Sequence, residues 1–139
     1  MEKIRRNYED IHRSSPISSR GVRAGHWLFI SGTTAKGSDA KGGPPMRQLR
    51  VILDRITRMV AAEGGKPSDI VRLTTYVTNI DAWFPLEGEL VDIYAEFFRD
   101  GKPANAIMEV SRLAEPGLDV EIEATAVLEA ARATGLSGE

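Results

Sequence analysis

The sequence predicts a two-layer α+β domain, and three observations carry that prediction. Strand-like and helix-like periodicities follow one another in the order β-β-β-α-β-α-β-β. Each of the two helical segments carries a single apolar stripe. The clearest strand, ending at Val127, alternates apolar Val120, Ile122, Ala124 and Ala126 with polar Glu121, Glu123 and Thr125, which gives it one covered face and one uncovered face. Two such helices cannot enclose both faces of a sheet this size, so they are expected side by side on one face. At 139 residues, 42% hydrophobic and 27% charged, the chain is long enough for one self-sufficient core.

Taken in order, a short strand or arm is expected around Lys3–Tyr8, followed by an irregular serine-bearing loop. Arg20–Ala24 and Trp27–Ser31 are β-prone runs separated by Gly25-His26, a turn pair, and so predict a hairpin. The stretch from Gly32 to Pro45 is rich in glycine and proline and predicts a long loop. Met46, Leu49, Ile52, Leu53, Ile56, Met59 and Val60 recur at helical spacing, with Arg47, Arg50, Asp54, Arg55 and Arg58 opposite. Gly64-Gly65 ends that helix and Pro67 forbids its continuation.

Asp69 to Asn79 predicts a central strand in which Val71, Leu73, Thr75 and Val77 share a face. A second helix is expected from about Asp81, with Pro85 in its first turn and a stripe of Leu86, Leu90, Ile93, Tyr94 and Phe97. Two further strands lie within Lys102–Val127, joined through Leu113–Gly117. Residues 1–128 thus read as one domain, and 129–139, rich in Ala, Gly and Ser, as a frayed tail.

Several function classes are excluded by composition. The absence of cysteine removes thiolate nucleophiles and cysteine metal sites. His12 and His26 are the only histidines and have no i, i+4 partner, so no metal is expected and both read as structural or surface residues. A net charge of −2 offers no basic footprint for nucleic acid. No apolar run approaches membrane-spanning length, and the N-terminus lacks a signal-peptide core, so the expectation is a cytoplasmic protein. Gly32–Ser38 lacks the pattern of a phosphate loop, and no cofactor motif is found. Ser31 has no nucleophile-elbow context and reads as a strand-end hydrogen-bonder.

The sharpest chemical feature is Glu121 with Glu123, two carboxylates on one strand face about 7 Å apart. They read either as a general acid/base site with a raised pKa or as a solvated sheet face balanced by Arg72 or Arg112. The uncovered face is expected to carry Arg72, Tyr76 and Glu109 as well. With Trp27 or Phe29 beside them, such a face is either exposed or covered by another copy of the chain.

Val22-Arg23-Ala24-Gly25, Leu28-Phe29-Ile30-Ser31-Gly32, Gln48 at the start of the first helix, and Asp69–Thr78 together resemble the RidA/YjgF family, also called L-PSP. Tyr94-Ala95-Glu96-Phe97-Phe98, Lys102-Pro103-Ala104, Glu109–Leu113 and Val120–Ala126 extend the resemblance, which covers about residues 15 to 128. It implies a chorismate-mutase-like fold, a mixed six-stranded sheet with two helices on one face. It further implies a homotrimer with a small-molecule cleft between neighbouring subunits. Well-known members hydrolyse reactive enamines and imines such as 2-aminoacrylate.

Carried over residue by residue, the family's pattern is only partly kept. Gly32, whose backbone lies beside the ligand, and Glu121, which positions a water or relays a proton, are retained. Where the family has a substrate-carboxylate arginine, this chain has Asn105. Ile17 stands for an aromatic residue and Val91 for an asparagine. Phe84–Leu90 reads as about one helical turn longer than in typical relatives. Asparagine carries no charge, so the guanidinium–carboxylate pair is lost. Arg20, Arg72 and Arg112 are candidates to replace it.

The expected function is hydrolysis or deamination of a small enamine, imine or related metabolite, with Glu121 as acid/base and Asn105 orienting the substrate, but not a standard 2-imino acid deaminase. The alternatives are a non-catalytic small-molecule-binding or regulatory trimer, and an endoribonuclease, against which the acidic balance speaks.

Overall fold

The computed structural model describes residues 1–129. Six strands, β1 (Lys3–Arg6), β2 (Gly21–Ala24), β3 (Trp27–Thr33), β4 (Ile70–Val77), β5 (Ala104–Glu109) and β6 (Val120–Val127), form one sheet. Two helices, α1 (Pro45–Ala62) and α2 (Glu89–Phe97), complete the regular structure, with short 3-10 turns at Pro67–Asp69 and Ile80–Ala82. The predicted two-layer α+β architecture is therefore present, with both helices facing the same side.

The strand order is β1-β2-β3-β6-β4-β5. All pairings are antiparallel except β4 with β5. The last strand in sequence thus occupies the middle of the sheet. Ile122, Ala126 and Val120 are fully buried there, as the apolar half of its alternation requires. The expected terminal strands do not pair with each other: β5 takes the edge beside β4, and β6 inserts between β3 and β4.

α1 covers the sheet with a continuous stripe: Leu49, Ile52, Leu53, Ile56, Met59 and Val60 are all fully buried. Its end is a Schellman motif, in which Gly65 N–H donates to Val60 O at 2.9 Å and Gly64 N–H to Ala61 O at 3.0 Å. Gly64 sits at φ 84°, the left-handed conformation that glycine adopts without steric cost. Gln48, on the same stripe yet fully buried, bonds the Gly43 and Gly117 carbonyls through Nε2 and accepts from Asp119 N. It ties the loop before α1 to the loop before β6.

Four expectations are corrected. The second helix begins at Glu89 with Gly88 as its N-cap, not near Asp81. Phe84-Pro85 is a cis peptide in a non-helical connection, and Leu86 is exposed rather than part of the stripe. In β4 a register shift between Ile70 and Arg72 turns Ile70 inward and leaves Val71 exposed; such an irregularity breaks strict alternation at that end. Glu109 pairs with the buried Val77, so it lies on the helix side of the sheet and accepts from Ile80 N–H. Finally, Gly32 and Thr33 belong to β3, and the loop that follows buries Ala35 and Ala40 completely. All but the first residue of the expected tail lies outside the described residues.

Candidate functional site

Glu121 and Glu123 project from β6 onto the uncovered sheet face, and the structure gives them different surroundings. Glu123 is exposed and accepts a hydrogen bond from Tyr76 Oη at 3.1 Å. Glu121 is half-buried and packs against Gly32: a Cβ built on Gly32 would stand 1.9 Å from Glu121 Oε2. Only a residue without a side chain leaves the carboxylate where it is. A bulge in β3 between Ile30 and Thr33 brings Gly32 to this position.

Beneath the pair lies Arg20, 6% exposed. Its Nη2 donates to Gly32 O at 2.8 Å, and its Nη1 lies 3.1 Å from His12 Nδ1. Its Nε is buried without a partner. Burial raises the Glu121 pKa above the ordinary carboxylate range; Arg20 opposes that rise and Glu123 adds to it. Desolvation disfavours the charged carboxylate, and the nearby guanidinium favours it.

His12 is buried rather than on the surface. Burial depresses its pKa to about 4, and the neighbouring cations Arg20, Arg55 and Lys36 push the same way. The imidazole is neutral and structural, as its lack of a spaced partner suggests. Ser31 Oγ donates to Ser19 O at 2.6 Å, in keeping with a strand-end role.

Asn105 lies elsewhere. On β5 it pairs with Leu73 of β4 and therefore faces α2, the opposite side of the sheet from Glu121. Thr75 Oγ1 is 3.1 Å from Asn105 Oδ1, and Asn105 Nδ2 is 3.3 Å from Tyr94 Oη. Asn105 and Tyr94, with the buried Thr75 behind them, stand at a groove of about 350 Å³ lined also by Phe84, Leu86, Leu90, Val91, Pro103 and Ile107, with Lys102 on its wall. Val91 is half-exposed on α2 within this groove, whereas Ile17 is 92% exposed on the N-terminal loop.

The five predicted positions thus fall apart within one chain. Gly32 and Glu121 meet, Asn105 and Val91 line one groove, and Ile17 lies exposed on the N-terminal loop. Arg72 pairs with Ala104 and so points to the face opposite Asn105, Arg112 lies beyond the end of β5, and Arg20 is committed to Gly32 and His12. Sequence reading missed Thr75 and Tyr94 as partners of Asn105. A threonine between Leu73 and Val77 on a buried face needs a hydrogen-bond partner, and that was the available signal. Phe84 and Leu86 had no such signal, because the non-helical path of 84–88 decides where they point.

A family model described as endoribonuclease L-PSP matches residues 11–128. The chain belongs to this family. Among L-PSP relatives, a RutC family protein of Pyrococcus horikoshii is 32% identical over 114 residues, 80% of this chain and 86% of that protein. A 2-iminobutanoate/2-iminopropanoate deaminase of Dermatophagoides farinae is 27% identical over 80% of this chain and 85% of its own length. Among solved structures, a YjgF/YER057c/UK114 family member from Mycobacterium tuberculosis superposes with a TM-score of 0.75 at 32% identity, covering 91% of this chain and all of that one. The RidA/YjgF (L-PSP) assignment made from sequence is thereby established, and the fold with it.

Proposed function

We propose that the protein is a homotrimeric hydrolase of small imines or enamines, with its site completed between neighbouring subunits. The observation that carries this reading is the division of the site residues: one chain places Gly32 and Glu121 on the uncovered sheet face and Asn105 with Val91 at the groove beyond the sheet edge. A neighbouring copy set against the uncovered face brings one chain's carboxylate to the other's groove. That face already presents Trp27 and Phe29, stacked with ring centroids 6.2 Å apart and about half-exposed, together with exposed Met108. An uncovered apolar cluster of this kind fits burial against a second copy. The family relationship to a named iminobutanoate/iminopropanoate deaminase supplies the reaction class.

In this reading Glu121 takes a proton from water as the oxygen attacks the protonated C=N carbon, returns it to the amino nitrogen, and takes the hydroxyl proton as the C=O bond forms and the C–N bond breaks. The products are a carbonyl compound and ammonia. The Glu121 pKa, raised by burial, suits a group that must both accept and donate a proton. Ammonia release from imines generated in situ by an oxidase tests the assignment. Glu121→Gln lowers kcat by about 10²-fold or more; undiminished turnover would remove Glu121 from the mechanism. Light scattering of the intact protein checks the trimer, and a monomer at micromolar concentration would refute the assembled site.

With Asn105 in place of a cation, hydrolysis of 2-iminopropionate and 2-aminoacrylate is expected to be slight. A charge-assisted partner for a buried carboxylate is typically worth about 2–5 kcal/mol, and asparagine does not replace it. Rates matching those of arginine-bearing relatives in the same assay would contradict this.

A further inference from the structure

We propose that the groove between α2 and β5 selects an uncharged ligand, with a carbonyl or carboxamide head at Asn105 and a branched aliphatic tail along Phe84, Leu86 and Leu90. The proposal rests on reading this groove as the substrate half of the site, and it concerns the chemistry of the ligand rather than the reaction.

The head-group argument follows from the hydrogen bonds of Asn105. Its amide is held by two hydroxyls, Thr75 Oγ1 at 3.1 Å and Tyr94 Oη at 3.3 Å. A hydroxyl can donate or accept, so either orientation of the amide spends one N–H and one oxygen lone pair. What remains is one N–H donor and one acceptor lone pair, with no charge. That remainder complements a carboxamide, which accepts and donates, or a carbonyl, which accepts. A carboxylate would meet the acceptor lone pair and find one neutral N–H, with no guanidinium to pair with, at that end. Tyr94 stands behind the exposed Asn105 and is itself largely buried, which raises its pKa, so it stays an uncharged hydroxyl there.

Lys102 is the one charged residue on the groove wall. It is exposed, so its ammonium remains hydrated and screened rather than desolvated against a ligand. The other walls are apolar: Phe84, Leu86 and Val91 are each about half-exposed, 47%, 57% and 47%, and Leu90 and Ile107 close the groove behind them. Half-exposed large side chains around a groove of this size fit a short aliphatic tail, which covers apolar surface otherwise left in water.

Matched probes separate charge from shape. Ligand-observed NMR titration of the full-length protein at pH 7 compares 3-methylbutanamide with 3-methylbutanoate, which share one tail. The amide is expected to bind at least tenfold more tightly. Asn105→Ala weakens the amide about tenfold, Leu86→Ser weakens it about threefold, and Asn105→Arg reverses the preference toward the carboxylate. Both positions are exposed, so the variants keep the fold, which circular dichroism checks. Equal or tighter carboxylate binding, a carboxylate preference abolished by Lys102→Gln, no saturable amide binding, or amide binding indifferent to both Asn105→Ala and Leu86→Ser would each overturn the proposal. Titration needs no chemistry. Amide binding without any Glu121-dependent turnover would sink the hydrolase reading alone, and Glu121-dependent turnover of carboxylate-bearing imines alone would sink this one.

Discussion

Glu121 keeps its place because position 32 has no side chain. The Gly32→Ala methyl would lie 1.9 Å from Oε2, and the group that yields is the flexible end of Glu121 rather than backbone. Gly32 is not among the positive-φ glycines, so alanine is tolerated by the chain itself. Activity should therefore fall by about 10²-fold through a displaced carboxylate, with Tm nearly unchanged; a thermal melt and a kcat measurement on Gly32→Ala together check this. The charge beneath the pair has its own signature. Burial raises the Glu121 pKa and Arg20 lowers it, so catalysis that needs the carboxylate is lost as pH falls through a value above the ordinary glutamate range of about 4.3. Replacing Arg20 by methionine removes the opposing cation and moves that acid limb to higher pH. A kcat–pH profile unchanged in Arg20→Met would show that Arg20 serves packing alone. Glu121 as a candidate was readable from strand alternation plus family likeness, but its neighbour Arg20 was not, because the two are far apart in sequence and the fold alone brings them together.

The end of α1 is held by more than its glycines. Glu63, 5% exposed, accepts from Arg6 Nε at 2.8 Å and Tyr8 Oη at 2.6 Å, with Arg23 Nη1 at 3.5 Å. The carboxylate thus fastens β1 and the chain after it to the helix. Tyr8 in turn packs so closely on Gly21 that an added Cβ would meet its ring at 2.8 Å. Glu63→Ala leaves Arg23 facing a vacated, largely buried position and is expected to cost about 3 kcal/mol, read as a lowered urea midpoint at unchanged slope. Elements with strong local signals were legible: α1 declares itself through its stripe and its double-glycine stop, and β6 through its alternation. The start of α2 was not. Asp81 and Pro85 together imitate a helix N-terminus, while the actual start follows Gly88 at φ 64°, a boundary set by where the chain can rejoin the core through Trp83, 1% exposed, and Leu90.

Across the whole molecule, acid should loosen the N-terminal segment first. His12 is held neutral with a pKa of about 4 against 6.5 when unfolded, so the unfolded chain takes up its proton first as pH falls. Its contribution to stability is complete above about pH 6.5 and is lost progressively down to about pH 4. Urea unfolding at pH 7 and pH 4.5 measures the loss, and His12→Leu should flatten that slope. An identical pH dependence in the variant would show that other groups govern acid unfolding. The amino-acid sequence determined on its own the element types, the two-layer class and the retained Gly32 and Glu121, because these are written in local periodicity and in motifs of a few residues. Only the tertiary structure decided that the last strand fills the centre of the sheet, and that Glu121 and Asn105 stand on opposite faces. It also decided that Asn105 is held by Thr75 and Tyr94. Those facts depend on strand order and register, which join residues distant in sequence and leave no local trace. For Glu121 this means a close seat on Gly32 above a buried arginine, and a groove that one chain alone does not bring to it.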